Sequence, residues 1–147
     1  MTPAEILVKT VLEAWGESDL GPAREALHDD VVWKSASTLQ GGAYRFGGIY
    51  NGKAEVIELL SLISMRYYFR RYDPKEIISK GEIVWGLFDV TGTYMANSVA
   101  ERKPFAFEAA FRFRIRDGKI LEVQSFFDTM ALLAQQGEIG KLNPKVA

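Results

Sequence analysis

The sequence predicts an α+β fold in which three N-terminal helices pack on a strongly curved antiparallel or mixed sheet and enclose an apolar pocket. Apolar residues recur at helical spacing in segments before Tyr68, whereas apolar and polar residues alternate through most of the chain that follows. Glycines inside the longest predicted strand indicate bends. A bent sheet that helices close on one side makes a cone-shaped pocket.

The composition excludes several classes of protein. With 147 residues and a formal net charge of −1, the chain lacks the basic surface that nucleic-acid binding usually requires. It has no cysteine, which excludes disulfides, thiol nucleophiles and thiolate metal sites. No apolar run approaches the ~18 residues of a membrane span, and no signal pattern opens the chain, so we expect a cytoplasmic protein. One domain over residues 1–137 and a loose tail over residues 138–147 are expected.

The first helix is expected to begin at the capping box Thr2-Pro3-Ala4-Glu5 and to end at Gly16. A second, short helix starts near Asp19 and Pro22 and runs through Leu27. A strand from Val31 to about Ser37 follows it.

A glycine-rich loop over residues 38–52 comes next, and a loop of this length in a compact domain is often functional. Its Tyr44, Arg45 and Tyr50 could close the mouth of a pocket, with Arg45 meeting an anionic group, although ordinary loop packing is the alternative. Asn51 is the predicted cap of a third helix.

Two long strands are predicted after the third helix. The first begins at Tyr68, and Pro74 makes part of it an edge strand or a bulge. The second spans Glu82 to Ala96, with bends at Gly86 and Gly92.

The segment FAFEAAFRFRIRDGKILEVQSFFD, residues 105–128, predicts a hairpin with one buried face. A two-residue loop at Asp117-Gly118 would set Phe113 opposite Glu122 and bury a carboxylate. We therefore predict a three-residue loop, Arg116-Asp117-Gly118, with Gly118 left-handed. Asp128 or Thr129 then caps a last helix, which Gly137 ends. The predicted facing pairs are Phe113 with Leu121, Phe111 with Val123, Ala109 with Ser125, and Phe107 with Phe127.

Several motifs, in this order and spacing, resemble one known family. They are AWGESDL, LHDDVVW, GGIYNGKAEV, and FRIRDGKILEVQSFFD followed by LLAQQG. Together they resemble the SnoaL-like and ketosteroid-isomerase-like branch of the nuclear transport factor 2-like superfamily, from Ala4 to Gly137. The resemblance implies a cone-shaped fold, an apolar pocket between sheet and helices, and commonly a homodimer.

The catalytic positions of two kinds of relative hold other side chains in this chain. Where SnoaL-like cyclases carry an aspartate and a histidine, the matching residues are Ser125 and Phe111. The oxyanion-hole and base positions of ketosteroid isomerases fall on Val11, Phe111 and Ser35. The resemblance therefore supplies neither of these reactions.

Epoxide-hydrolase-like relatives use an aspartate, arginine, aspartate triad, together with a tyrosine and an asparagine that hold water. The matching positions are Asp89, Leu87 and Ser125 for the triad, and Trp33 and Ser35 for the water. Only Asp89 is kept.

Asp89 is the predicted catalytic residue. The resemblance directs it into the pocket, on one face with Trp85 and Leu87, where desolvation would raise the pKa of its carboxyl and suit it to acid–base work. A place at a bulge or dimer surface is the alternative. The first functional hypothesis is therefore a cofactor-free isomerase, cyclase or hydrolase acting on a hydrophobic cyclic substrate.

A non-catalytic binder of a small hydrophobic ligand is the second hypothesis, because the usual catalytic positions are lost. A protein-interaction module on the outer face of the sheet is the third, and the charges on that face argue against it. No cofactor and no metal are expected, since no residue set has metal-ligand spacing. With His28 as the single histidine, a serine–histidine nucleophile is not expected. The predicted substrate-binding residues are Val11, Trp15, Trp33, Ser35, Tyr50, Trp85, Leu87, Phe107, Phe111, Val123, Ser125 and Phe127.

Overall fold

Six strands form one curved sheet, and the helices cover its concave side. The computed structural model describes residues 1–95 and 101–138, so most of the predicted tail over 138–147 lies outside the described residues. The strand order is β2-β1-β6-β5-β4-β3; β1 pairs with β6 in parallel, and all other pairs are antiparallel. The predicted α+β fold is thereby confirmed. The elements are α1 (Pro3–Gly16), α2 (Gly21–Ala26), β1 (Leu27–Lys34), β2 (Ile49–Asn51), α3 (Lys53–Arg66), β3 (Tyr67–Lys80), β4 (Ile83–Met95), β5 (Arg102–Arg116), β6 (Lys119–Phe126) and α4 (Thr129–Gln135).

The predicted capping box begins α1. Glu5 N donates to Thr2 Oγ1 (3.1 Å), and Thr2 N donates to Glu5 Oε1 (3.3 Å), which satisfies two backbone donors at the helix start. Val8, Leu12 and Trp15 form the buried stripe of the helix. None of the helices within residues 1–95 and 101–138 is long and apolar enough to cross a bilayer.

The glycine-rich loop differs from its prediction at its end. Residues 49–51 form β2, where Tyr50 pairs with Trp33 of β1. Asn51 therefore belongs to a strand and does not cap α3. The N-cap is Gly52 at a φ of +90°, and it makes no side-chain cap.

The predicted register of the β5–β6 hairpin is wrong by two residues. Asp117 and Gly118 form a two-residue turn with φ of +53° and +72°, and Phe113 faces Val123. A β-bulge that takes up Leu121 shifts the register between Ile115 and Arg114. The bulge lets a tight turn coexist with an apolar inner face, an alternative that the sequence argument did not consider.

The two glycines of β4 lie where neighbouring groups approach the strand closely, most of all at Gly92. A Cβ on Gly92 would lie 2.2 Å from the carbonyl oxygen of Tyr68 and 2.9 Å from Cζ of Phe105. At Gly86 it would lie 2.5 Å from Cε2 of Phe88. Backbone blocks the added atom at Gly92, which therefore requires glycine, whereas at Gly86 only the end of the Phe88 ring would have to move. On β3, which is an edge strand, a register shift directly follows Pro74, as predicted.

Helix α4 is joined to the sheet by side-chain amides. Since β6 ends at Phe126, no described strand pairs with Ala106 on the side of β5 away from β4, and Gln135 takes that place. Ala106 N donates to Gln135 Oε1 (2.6 Å), and Gln135 Nε2 donates to Ala106 O (3.0 Å). Tyr67 Oη donates to Gln136 Oε1 (2.6 Å). These bonds fix α4 over the wide end of the cone.

Both ends of α4 follow their prediction. Asp128 Oδ1 accepts from Ala131 N (2.9 Å) and so caps the first turn. Gly137, at a φ of +80°, ends the helix: its N–H donates to Ala134 O, and Glu138 N donates to Leu133 O.

Replacing Gly92 with alanine is expected to lower the free energy of unfolding by about 1–3 kcal/mol, since the added methyl group must displace the Tyr68 carbonyl or the Phe105 ring. Urea unfolding followed by circular dichroism measures the change. Thr91→Ala, on the outer face of the same strand, is the control and should cost less than about 1 kcal/mol. Equal costs for the two variants would contradict the role assigned to Gly92.

Candidate functional site

An enclosed cavity lies inside the cone, between the concave face of the sheet, the helices and the loop that precedes β2. Its volume is about 40 Å³, far below the roughly 300–1,000 Å³ of most ligand pockets. The side chains of its wall therefore pack mainly against one another. The wall consists of Trp15, Trp33, Ser35, Tyr44, Ile63, Tyr67, Phe69, Tyr72, Phe107, Phe111, Ser125, Phe127 and Leu132.

Aromatic rings make most of this wall. Trp15 meets Trp33 edge to face with 6.2 Å between ring centroids, and Trp33 meets Phe111 in the same way at 6.3 Å. Tyr44 reaches inward from the loop and stands at 88° to Phe127, 5.6 Å away. Each such pair contributes about 0.5–1.5 kcal/mol beyond burial. The closed cavity is thus stabilised by ring contacts that an aromatic ligand could replace.

Three hydroxyl groups border the cavity without a partner. Tyr44, Tyr72 and Ser125 make no side-chain hydrogen bond to another described residue. No fully enclosed side-chain oxygen lacks a partner in the described part of the chain, so each of these hydroxyl oxygens keeps some accessible surface. Ser35 differs, because its Oγ donates to Phe46 O (2.7 Å). The cavity is therefore an apolar space with three available hydroxyls.

The cavity tyrosines remain neutral donors at physiological pH. Burial raises the pKa of Tyr44, Tyr67 and Tyr72 well above the ordinary value near 10. Proximity of Tyr72 adds to the effect at Tyr44. No Asp, Glu, His, Lys or Arg occurs among the described residues that line the cavity. The wall can therefore donate hydrogen bonds, but it has no group that exchanges a proton near neutral pH.

Seven of the twelve predicted substrate-binding residues line this cavity: Trp15, Trp33, Ser35, Phe107, Phe111, Ser125 and Phe127. They come from α1, β1, β5, β6 and the residues that follow β1 and β6, because inward side chains of a curved sheet converge on its axis. Val11 and Val123 are buried in the core and lie outside the cavity wall. Tyr50 lines a separate outer cleft, where its hydroxyl donates to Gly47 O (2.9 Å).

The expected inward placement of Asp89, Trp85 and Leu87 is wrong. Phe88 and Val90 are fully buried on the inner face, so the pleat turns their neighbours outward. The side chain of Asp89 is 45% exposed and lies 3.9 Å from Nζ of Lys75. The apolar residues on both sides of this strand concealed its direction in the sequence. Acid–base work by Asp89 rested on burial in the pocket, and that basis is lost.

Six cavity residues were missing from the predicted binding residues: Tyr44, Ile63, Tyr67, Phe69, Tyr72 and Leu132. A register shift between Phe69 and Arg71 puts Tyr67, Phe69 and Tyr72 all on the inner face, which breaks strict alternation. The spacing Tyr-x-Phe-x-x-Tyr is the trace that this bulge leaves in the sequence. Tyr44 belongs to a loop, where no periodicity indicates direction.

Within residues 1–95 and 101–138, no group of three His, Asp or Glu side chains could hold a metal ion.

Comparison with known families identifies the fold. The SnoaL-like domain family matches residues 8–123. The chain belongs to the SnoaL-like family. No curated protein matches the chain.

Solved structures similar to this SnoaL-like chain cover nearly all of it. An NTF2-like protein of unknown function from Burkholderia pseudomallei has a TM-score of 0.78 at 23% identity, over 93% of this chain and 99% of that one. TerC, co-crystallised with polyporic acid, has a TM-score of 0.76 at 21% identity, over 92% of this chain and 98% of that one. A protein with a ketosteroid-isomerase-like fold from Catenulispora acidiphila, in complex with trimethylamine, has a TM-score of 0.71 at 16% identity, over 89% of this chain and 92% of that one. These identities establish a shared fold alone.

The SnoaL-like cavity should make the stability of the protein fall steeply in alkali. An unfolded tyrosine loses its proton near pH 10, whereas burial raises the pKa of Tyr72 in the folded state. Below pH 10 the free energy of unfolding is therefore unaffected by this pKa difference. Above pH 10 it falls by about 1.4 kcal/mol per pH unit for each such tyrosine. In urea unfolding between pH 10 and 11.5, Tyr72→Phe should make the slope shallower by that amount. Tyr68→Phe, which alters an exposed residue, should leave the slope unchanged.

Proposed function

We propose that this SnoaL-like domain binds a small, neutral, largely aromatic molecule that carries a hydrogen-bond acceptor oxygen. One observation supports this most directly: three unpartnered hydroxyls, those of Tyr44, Tyr72 and Ser125, border an otherwise apolar cavity. These hydroxyls can donate, and an acceptor oxygen from a ligand would give them hydrogen-bond partners. Aromatic walls favour an aromatic body for the same ligand.

Binding without acid–base catalysis is the role that this chemistry supports best. Proton abstraction needs a base near its target, and the described lining of the cavity has none. The hydroxyls of Tyr44 and Tyr72 would polarise a carbonyl oxygen, but they would not by themselves move a proton to or from carbon. The Asp89 hypothesis stays unconfirmed, since its carboxylate lies on the other face of the sheet.

Two structural neighbours support a ligand-binding use of this fold. TerC was crystallised with polyporic acid, and the Catenulispora protein holds trimethylamine. We extend from them only the general point that a small organic molecule is the occupant. The chemical class proposed here rests on the residues of this chain.

Acetophenone is the probe that matches the proposal, because it joins one phenyl ring to one acceptor oxygen. Its shape analogue α-methylstyrene has a methylene group in place of that oxygen. We expect acetophenone to bind about tenfold more tightly, as two new hydrogen bonds would provide. The indole N–H signals of the three tryptophans in a proton–nitrogen NMR titration measure both affinities. Trp15 and Trp33 line the cavity and should shift, whereas Trp85, on the outer face, should not.

Substitutions test the donors in the same titration. Tyr72→Phe and Ser125→Ala should each weaken acetophenone about two- to tenfold and leave α-methylstyrene unaffected. Tyr68→Phe is the matched control, since it removes an exposed hydroxyl. Equal affinity for the two probes in the unsubstituted protein, or no binding at millimolar concentration, would contradict the proposal.

We also infer that a second copy of the chain packs on the outer face of the sheet. Trp85 and Phe126 stack there at 5.9 Å, both about 40% exposed, beside Ile78 at 67%. Leu87 and Ala110 continue this apolar patch between the strands. Such a patch on a single chain commonly marks an interaction site.

The charges around this patch would complement those of a second copy that is related to the first by a two-fold axis. Outward side chains along β5 run from Arg112 through Ala110 to Glu108. A two-fold axis at Ala110 would set Arg112 of one copy opposite Glu108 of the other, as an isologous interface requires. The charges then form a rim, and the centre of the interface is apolar.

Sedimentation velocity over a concentration series tests the homodimer. Arg112→Glu should weaken the dimer at least about tenfold by opposing like charges. The double variant Arg112→Glu with Glu108→Arg should restore it, because the complementary pair is rebuilt in reverse. Arg24→Glu, on α2, is the control. A protein that stays monomeric at 100 µM, or a double variant that stays as weak as the single one, would refute the two-fold arrangement.

A further inference from the structure

An open cleft lies on the outer side of the loop, between it and α3. Its volume is about 510 Å³, which is within the range of small-molecule sites. Leu62 and Met65 of α3 contribute apolar side chains that are 45% and 70% exposed. The cleft is thus wide enough for a ligand as it stands, whereas the smaller cavity beside it admits one only when its ring walls move apart.

The ring of Phe46 separates the cleft from the cavity. Phe46 lines the cleft, and it meets Tyr44 at 6.1 Å and Tyr67 at 6.2 Å, both edge to face. Tyr44 and Tyr67 are walls of the inner cavity. The Phe46 side chain therefore contacts both the cleft and the wall of the cavity.

Hydrogen bonds hold the backbone around Phe46, whereas its apolar ring makes packing contacts only. Phe46 O accepts from Ser35 Oγ (2.7 Å), and Gly47 O accepts from the Tyr50 hydroxyl (2.9 Å). Gly48 N donates to Ser37 O (2.7 Å). A rotamer change of the Phe46 side chain would join cleft and cavity without moving the loop, since side-chain rotation leaves these bonds intact.

The charged groups at the cleft balance. Arg45 and Arg66 lie among its lining residues together with Glu55 and Glu58. Two cations and two anions give no net preference for a charged ligand. The apolar side chains between them favour a neutral, apolar one.

We propose that the cleft is the second half of a bipartite ligand site and that Phe46 is the gate between its halves. The ligand is an elongated, neutral molecule with two aromatic rings. Its acceptor oxygen reaches the inner hydroxyls, and its distal ring lies on Leu62 and Met65. This inference rests on the proposed binding function and adds the ligand's length and its second contact surface.

A short and a long probe test the bipartite site separately from the proposed binding in the inner cavity. Acetophenone has one ring, and 4-acetylbiphenyl carries a second ring that reaches past Phe46. In the indole NMR titration, 4-acetylbiphenyl should bind about tenfold more tightly than acetophenone because the second ring is buried as well. Leu62→Asn and Met65→Gln should each remove most of that gain and leave acetophenone unchanged. Phe46→Leu should speed association of the long probe, because a smaller side chain then stands at the gate.

The absence of native cysteine permits a second test that does not depend on core stability. Met65→Cys, labelled with a bulky maleimide, should block 4-acetylbiphenyl and spare acetophenone. Ile6→Cys, labelled in the same way at an exposed site outside both lining sets, is the control. If acetophenone binds but the long probe binds no better, or if the cleft variants affect both probes equally, the bipartite site is wrong and the cavity function stands. If neither probe binds, the cavity function itself fails.

Discussion

The close approach of three strands at Gly92 is the constraint on which the cone depends. The carbonyl of Tyr68 on β3 and the ring of Phe105 on β5 occupy the space that any other side chain at this position would need. Glycine at this position lets the strands come this close, and inward rings from neighbouring strands meet. Tyr67 and Phe105 stand at 88° with 5.4 Å between their centroids as a result. This close approach is therefore one reason why the interior is a cluster of aromatic rings.

This geometry also decides where polar chemistry can occur. The inner face of each strand is committed to ring packing, so strand positions offer the cavity few polar groups, Ser125 among them. The hydroxyls of Tyr44 and Tyr72 come instead from a loop and from a bulged edge strand, where alternation does not hold. The carboxylates of β4, β5 and β6 lie on the convex face, in ion pairs such as Glu108 with Lys75 at 2.7 Å. Proton-exchanging groups and the cavity are thus on opposite sides of one sheet.

Much of the fold followed from the sequence because its signals are local. A capping box, an aspartate cap at Asp128 and an alternating strand each depend on neighbours within a few residues. The errors arose where two local rules competed: the tight turn at Asp117 and the apolar face of β6 were reconciled by a bulge at Leu121. At Asp89 no local signal existed, since apolar residues flank it on both faces. Tyr72 was missed because the bulge that turns it inward comes from strand pairing, which pattern reading cannot measure.

The side-chain amide of Gln135 continues the hydrogen-bonding pattern of the sheet. It supplies to Ala106 the donor and the acceptor that a neighbouring strand would have offered, while Gln136 accepts from a tyrosine of the cavity wall. A domain fused directly after Gly137 would thus start beside the cavity, tied to it by hydrogen bonds instead of by a slack linker. Force or torsion applied at that junction would be transmitted to Tyr67 through Gln136, which makes this helix end a natural point for coupling a mechanical or optical reporter to the interior.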